Sequence, residues 1–193
     1  MNSRASILLV SVGCILFARS LVAQMETFVP ANDVSFSLST ERKSYRAGEQ
    51  INLQYRIKNI SNGPLYAPRE WEAKCPGNRH VWVWFENSTG EHFMPGWGSC
   101  DRDDNPKTVI ERMTREAVLL KPGEHMDGTL QLDTRLFGGL RPGKYRIEGV
   151  LYCWRDEEFS AADVAELAKM GGRFLHGEVP ASVKGDYSAE PLD

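Results

Sequence analysis

Residues 116–153, EAVLLKPGEHMDGTLQLDTRLFGGLRPGKYRIEGVLYC, constrain the fold more than any other part of the chain. Two Pro-Gly steps, Pro122-Gly123 and Pro142-Gly143, separate three runs in which apolar residues alternate with polar ones. Proline presets the φ that a turn needs at its second position, and glycine reaches positive φ without steric cost. Alternation with a period of two places every second side chain on one face of a strand. The segment therefore predicts successive antiparallel strands over 117–120, 129–133 and 144–153. In the last of these, Tyr145, Ile147, Gly149 and Leu151 line the core face.

The same period recurs upstream. Val34, Phe36 and Leu38 alternate with three serines, and Ile51, Leu53, Tyr55 and Ile57 alternate with Asn52, Gln54, Arg56 and Lys58. Both read as half-buried strands, separated by a turn over 44–49 in which Gly48 supplies positive φ. Ser, Asn, Gly and Pro close the second strand over 59–64. Residues 65–67 predict a short edge strand, because Pro64 and Pro68 limit its ladder bonds. In 80–86, HVWVWFE, both faces are apolar: Val81, Val83 and Phe85 on one, Trp82 and Trp84 on the other. Residues 91–94 return as the second strand of a hairpin. Residues 70–78 and 95–107 read as loops, and 108–114 fit either a strand or a helical turn.

After Cys153 the period changes. Ser160 is placed to cap a helix whose first turn carries Asp163, with Val164, Leu167 and Ala168 at helical spacing and Gly171-Gly172 as the stop. Residues 173–187 are extended again. The fold class is all-β: an antiparallel β-sandwich with one short C-terminal helix. The domain spans 34–187, with the helical insert near 160–170, a lead-in over 24–33 and a frayed tail over 188–193.

The N-terminus has the form of a signal peptide. Arg4 precedes an apolar run over 7–17, and Leu21-Val22-Ala23 offers a small residue before cleavage ahead of Gln24. Export to the periplasm or beyond is the expectation. The apolar run is too short for a convincing membrane span, and lipidation at Cys14 is the alternative processing. Loss of Arg4 and Arg19 with this leader leaves 21 basic against 26 acidic side chains, a net charge of −5. That excludes the basic footprint of a nucleic-acid binder. Of the remaining cysteines, Cys75 and Cys100 bracket the Trp-rich segment and are the expected disulfide pair, with Cys153 able to replace either.

Two motifs carry a resemblance. Leu140-Arg141-Pro142-Gly143-Lys144-Tyr145-Arg146-Ile147 resembles the tyrosine corner of immunoglobulin-like and fibronectin-type sandwiches, in which a Tyr hydroxyl bonds to upstream backbone. Ser44-Tyr45-Arg46-Ala47-Gly48-Glu49, with Ile51-Asn52-Leu53 and Lys58-Asn59-Ile60-Ser61, resembles the opening of exported bacterial Ig-like domains. Leu120-Lys121-Pro122-Gly123-Glu124 is also similar to turns of the bacterial intracellular proteinase inhibitor family. The resemblance covers about two-thirds of the chain. It implies an Ig-like sandwich with a structural role for Tyr145, and inhibition of a proteinase through a presented loop as one activity.

For function, the aromatic side chains stand out. Trp82, Trp84 and Trp97 are the candidate binding residues, with Trp71 nearby. Exposed indoles grip peptide partners or stack on sugars; buried ones form a second small core beneath the helix or a loop. Asp101-Arg102-Asp103-Asp104-Asn105 alternates oxygen ligands like a Ca²⁺ loop, but Pro106 stands where such a loop needs glycine. His80, His92, His125 and His176 lack metal-motif spacing, and only His80 with His92 across the hairpin offers a geometry. No nucleophile elbow, CxxC or phosphate loop is present. No cofactor and no catalytic residue are expected. The reading is a non-catalytic extracytoplasmic binding or scaffold module for a protein or glycan partner, with a proteinase inhibitor or a carbohydrate-binding module as alternatives. Asn59-Ile60-Ser61 and Asn87-Ser88-Thr89 are sequons for a glycosylating host.

Overall fold

The computed structural model describes residues 28–46, 48–69, 80–95, 114, 117–137, 140–154, 159–183 and 187–190. In chain order the strands are β1 (Phe28–Pro30), β2 (Val34–Thr40), β3 (Ser44–Arg46), β4 (Gln50–Asn59), β5 (Leu65–Pro68), β6 (Val81–Asn87) and β7 (His92–Phe93). They continue with β8 (Ala117–Leu120), β9 (His125–Asp133), β10 (Gly143–Tyr152), β11 (Arg173–His176), β12 (Glu178–Ser182) and β13 (Tyr187–Glu190). One α-helix, α1 (Ala161–Ala168), lies between β10 and β11.

Period-two alternation decides which side chains meet. In β4 every second residue is buried, and the antiparallel ladders to β2 and β9 give those strands the same inward face. Phe36, Leu38, Ile51, Leu53, Ile57, Leu130 and Leu132 therefore line one wall of the core. The opposing wall comes from the sheet ordered β3-β13-β10-β6-β7, with β12 also paired to β10. It contributes Tyr45, Val81, Val83, Phe85, Tyr145, Ile147 and Leu151. Two such sheets facing across one apolar layer form a β-sandwich.

In the third sheet, β1-β11-β5-β8, strand β5 is buried on both faces. Leu65, Ala67, Leu120 and Leu175 join the main core, whereas Tyr66 and Phe174 point the other way into a second cluster with Trp154, Val164 and Leu167. Helix α1 covers that second cluster. Ser160 caps it as expected: its hydroxyl accepts from the Asp163 N–H, and the Asp163 carboxylate accepts from the Ser160 N–H in return. Gly171, at φ 74°, follows the helix end.

The tyrosine corner is formed. The Tyr145 hydroxyl donates to the Arg141 carbonyl at 2.8 Å and accepts from the Arg141 N–H at 3.1 Å. That is the upstream backbone bond characteristic of immunoglobulin-like sandwiches.

Several expectations need correction. Residues 65–67 are not an edge strand: β5 has β11 on one side and β8 on the other. The prolines sit at the ends of β5, so its central ladder bonds are intact. The 44–49 turn contains β3, and the strand expected over 129–133 begins at His125. The lead-in over 24–33 contains β1, which pairs in parallel with β11. Ser188, Ala189 and Glu190 are not frayed but lie in β13, which closes between β10 and β3. The ladders β1–β11, β11–β5 and β13–β3 are parallel, and the other seven ladders between these strands are antiparallel, as expected.

Candidate functional site

The outer face of the β6–β10 sheet carries the candidate site. Because Val81, Val83 and Phe85 turn inward, Trp82, Trp84 and Glu86 must turn outward. The register then sets their neighbours. Trp82 lies opposite Val150, Trp84 opposite Glu148 and Glu86 opposite Arg146. On the far side of β10, Pro180 faces Val150 and Ser182 faces Glu148. On β7, His92 faces Glu86.

The two indoles are half-buried. They are two residues apart on one strand, about 7 Å by strand rise. Trp82 meets Tyr152 edge-on, with ring centroids 5.9 Å apart, and Trp84 lies 6.0 Å from the His92 ring at 41°. Of the expected cover beneath the helix or a loop, the helix half is corrected, and the loops lie mostly outside the described residues. The helix instead covers Tyr66, Trp154 and Phe174. Trp154, stacked edge-on against Phe174 and His80, is the aromatic residue the sequence reading missed. Its signal was its place between a core strand and the helix. Among the described residues the buried Trp84 Nε1–H has no acceptor, a cost of about 1–3 kcal/mol for such a group.

Charge flanks the indoles. Glu86 accepts from Arg146 and, at 3.2 Å, pairs with His92 Nε2. The Arg146 hydrogen bond, more than any other cause, holds its carboxyl below the ordinary range. Glu148 behaves oppositely: burial raises its carboxyl, and the Glu86 charge adds to this against the opposing pull of Arg146. A carboxyl raised in the folded state favours folding at low pH. That advantage is lost as pH climbs through the folded-state value. Glu148→Gln is therefore expected to raise the melting temperature near neutral pH, by a gain on the order of 0.5 kcal/mol, and to leave it unchanged in acid. A loss at neutral pH would show that the Arg146 ion pair outweighs burial.

Other candidates fare differently. Trp97, Trp71, Cys75, Cys100 and the 101–105 acidic run lie outside the described residues, as does most of the 95–107 loop. Cys153 is a free, buried thiol, pushed up to about 12 by burial, which keeps it protonated and unreactive. His80 and His92 do not meet. His80 Nδ1 bonds the Tyr152 carbonyl at one end of β6, and His92 sits opposite Glu86 at the other, about 20 Å along the strand. Among the described residues no three His, Cys, Asp or Glu side chains come together as metal ligands. No described helix is long and apolar enough to cross a membrane. The Asn59 sequon is closed, since its side chain is fully buried, whereas Asn87 sits in the exposed β6–β7 turn.

Comparison with known proteins adds little. No protein-family model and no curated protein matches the chain, so the inhibitor resemblance rests on its turn motifs. Among solved structures, the chain is similar to a CARDB domain from Pyrococcus furiosus at 13% identity and TM-score 0.37, covering 82% of this chain and 88% of that one. It is similar to a β-glucosidase from Erythrobacter marinus at 13% identity and TM-score 0.36, spanning 78% of this chain but 15% of the glucosidase. A DNA glycosylase from Pseudomonas fluorescens, bound to DNA with an abasic-site analogue, aligns at 14% identity and TM-score 0.33 over 79% of this chain and 31% of that one. Likenesses this distant carry no functional meaning; what the chain's own geometry establishes among the described residues is an all-β sandwich with one short helix and an outward aromatic face.

Proposed function

We propose that this chain is a non-catalytic binding module that acts outside the cytoplasm and takes a protein partner on the outer face of β6 and β10. The observation that carries the reading is the half-exposure of Trp82 and Trp84 while α1 covers a different aromatic cluster. Large aromatics left at a surface are the side chains that anchor interfaces. The extracytoplasmic setting rests on the leader-like residues 1–23.

A protein fits better than a glycan. Sugar platforms need aromatic rings in one plane, yet Trp82 stands edge-on to Tyr152. The Glu86–Arg146–Glu148 row beside the indoles offers the mixed polar rim of a protein interface. The test compares the protein with its Trp82→Ala/Trp84→Ala double variant on peptide and glycan arrays. Peptide signals should fall about thirtyfold in the variant, the effect of losing about 2 kcal/mol from an anchor. Glycan signals lost in the variant would transfer the site to a sugar ligand. Identical profiles for the two proteins would remove the site.

A further inference from the structure

Strand β9 ends its sheet, with β4 as its described neighbour. An end strand turns every second backbone N–H and C=O outward, and natural proteins guard such edges with short strands, proline, lysine or bulges. The other edges here are guarded. β1 and β3 are three residues long, β7 is two and β8 is four. β12 has Pro180 at its centre, and β2 meets β12 through the Leu38–Val183 bridge. β9 differs: HMDGTLQLD runs nine residues with no proline, lysine or arginine, and all nine keep register with β4.

We propose that β9 pairs with β9 of a second copy of this chain, antiparallel about a two-fold axis through Thr129, joining the two sheets into one. The register follows from side-chain chemistry. Facing residues of an antiparallel pair lie on the same side of the sheet. A slip of one residue would set buried positions such as Leu130 and Leu132 against exposed ones. With Thr129 opposite itself, Met126 faces Leu132 and Gly128 faces Leu130 on the inner side. On the outer side His125 faces Asp133, Asp127 faces Gln131 and Thr129 faces Thr129. At the ends an imidazole that can donate a hydrogen bond meets a carboxylate, and a Thr pair sits at the centre. A slip of two places toward the C-terminus sets Asp127 against Asp133; two places the other way sets Glu124 against Leu132. Of these registers, the Thr129-centred one is free of such conflicts and pairs all nine residues. The isologous pairing also closes the edge, so assembly stops at a dimer.

Analytical ultracentrifugation of the protein over a concentration series tests this. The wild type is expected to sediment as a dimer in reversible exchange with monomer. Thr129→Lys places two ammonium groups at the axis and is expected to weaken association at least tenfold, with an unchanged far-UV spectrum. Thr129→Cys supplies an independent readout. Paired residues across an antiparallel ladder have Cα atoms about 4.5–5.5 Å apart, within disulfide reach, so this variant should form a crosslinked dimer on oxidation. Asn52→Cys, exposed on the neighbouring strand β4, should not. A strictly monomeric wild type, a Thr129→Lys protein that stays dimeric, or equal crosslinking of the two cysteine variants would each overturn the proposal. So would binding of an extended foreign peptide to β9 of a monomer.

Discussion

Replacing Phe85 with alanine is expected to lower the unfolding free energy by about 3–5 kcal/mol. Phe85 is fully buried at the centre of the main core. Its ring meets Phe137 edge-on at 4.7 Å and Tyr145 edge-on at 6.3 Å. On its own sheet it lies between Ile147 of β10 and Phe93 of β7. The backbone around it is held by ladders on both sides, so the walls have little freedom to collapse. The loss should therefore include a cavity term as well as lost transfer free energy. Against a typical total of 5–15 kcal/mol, this brings the protein near the edge of folding. Urea denaturation gives the test: the midpoint should fall while the slope stays constant. A loss under about 1 kcal/mol would mean that the ring is not packed as described.

Asn59→Asp is expected to cost about 3 kcal/mol at neutral pH, although it changes one atom of the side chain. The fully buried Asn59 amide donates to the carbonyls of Gly63 and Leu120, each at 2.9 Å. Its oxygen accepts from the N–H and hydroxyl of Ser61, each at 2.8 Å. Its backbone N–H and C=O pair with Glu124 and Gly123. One residue thus ties the end of β4 to the following turn, to β8 and to the β8–β9 turn. Aspartate keeps the accepting half and sets a second oxygen against two carbonyl oxygens. Burial beside acceptors raises a carboxyl's pKa. The folded state then prefers the protonated acid, and stability falls as pH rises above the ordinary carboxylate range. The deficit relative to wild type should therefore be larger at neutral pH than in acid. Equal deficits at both would mean that the carboxylate escapes to water.

Phe85 and Asn59 differ in how far their roles could be read from the sequence. Phe85 sits in an alternating run, and its inward direction follows from period two alone. Asn59 reads locally as a turn residue or a sequon; its four side-chain hydrogen bonds include one to Leu120, 61 residues away. Gly149 is similar. Its core-facing position was legible, but a Cβ there would meet Leu38 Cδ1 at 2.7 Å and the Trp82 carbonyl oxygen at 2.9 Å. That close approach exists only when β2 crosses β10. At the aromatic face, the sequence showed two indoles sharing one side of β6. It could not show which of the two apolar clusters α1 would cover.

Sequence alone was enough for the central alternating strands, the Pro-Gly turns, the capped helix and the tyrosine corner. These arise from interactions a few residues apart: backbone sterics, side-chain alternation and local hydrogen bonds. The neighbours of β5, the parallel insertion of β11, the closing role of β13 and the place of β9 at the end of its described sheet emerge only in three dimensions. Those depend on contacts between distant segments, such as the Tyr66 hydroxyl bonded to the Met170 carbonyl 104 residues on. The period of a strand specifies which way its side chains face, and carries no information about which strand lies beside it.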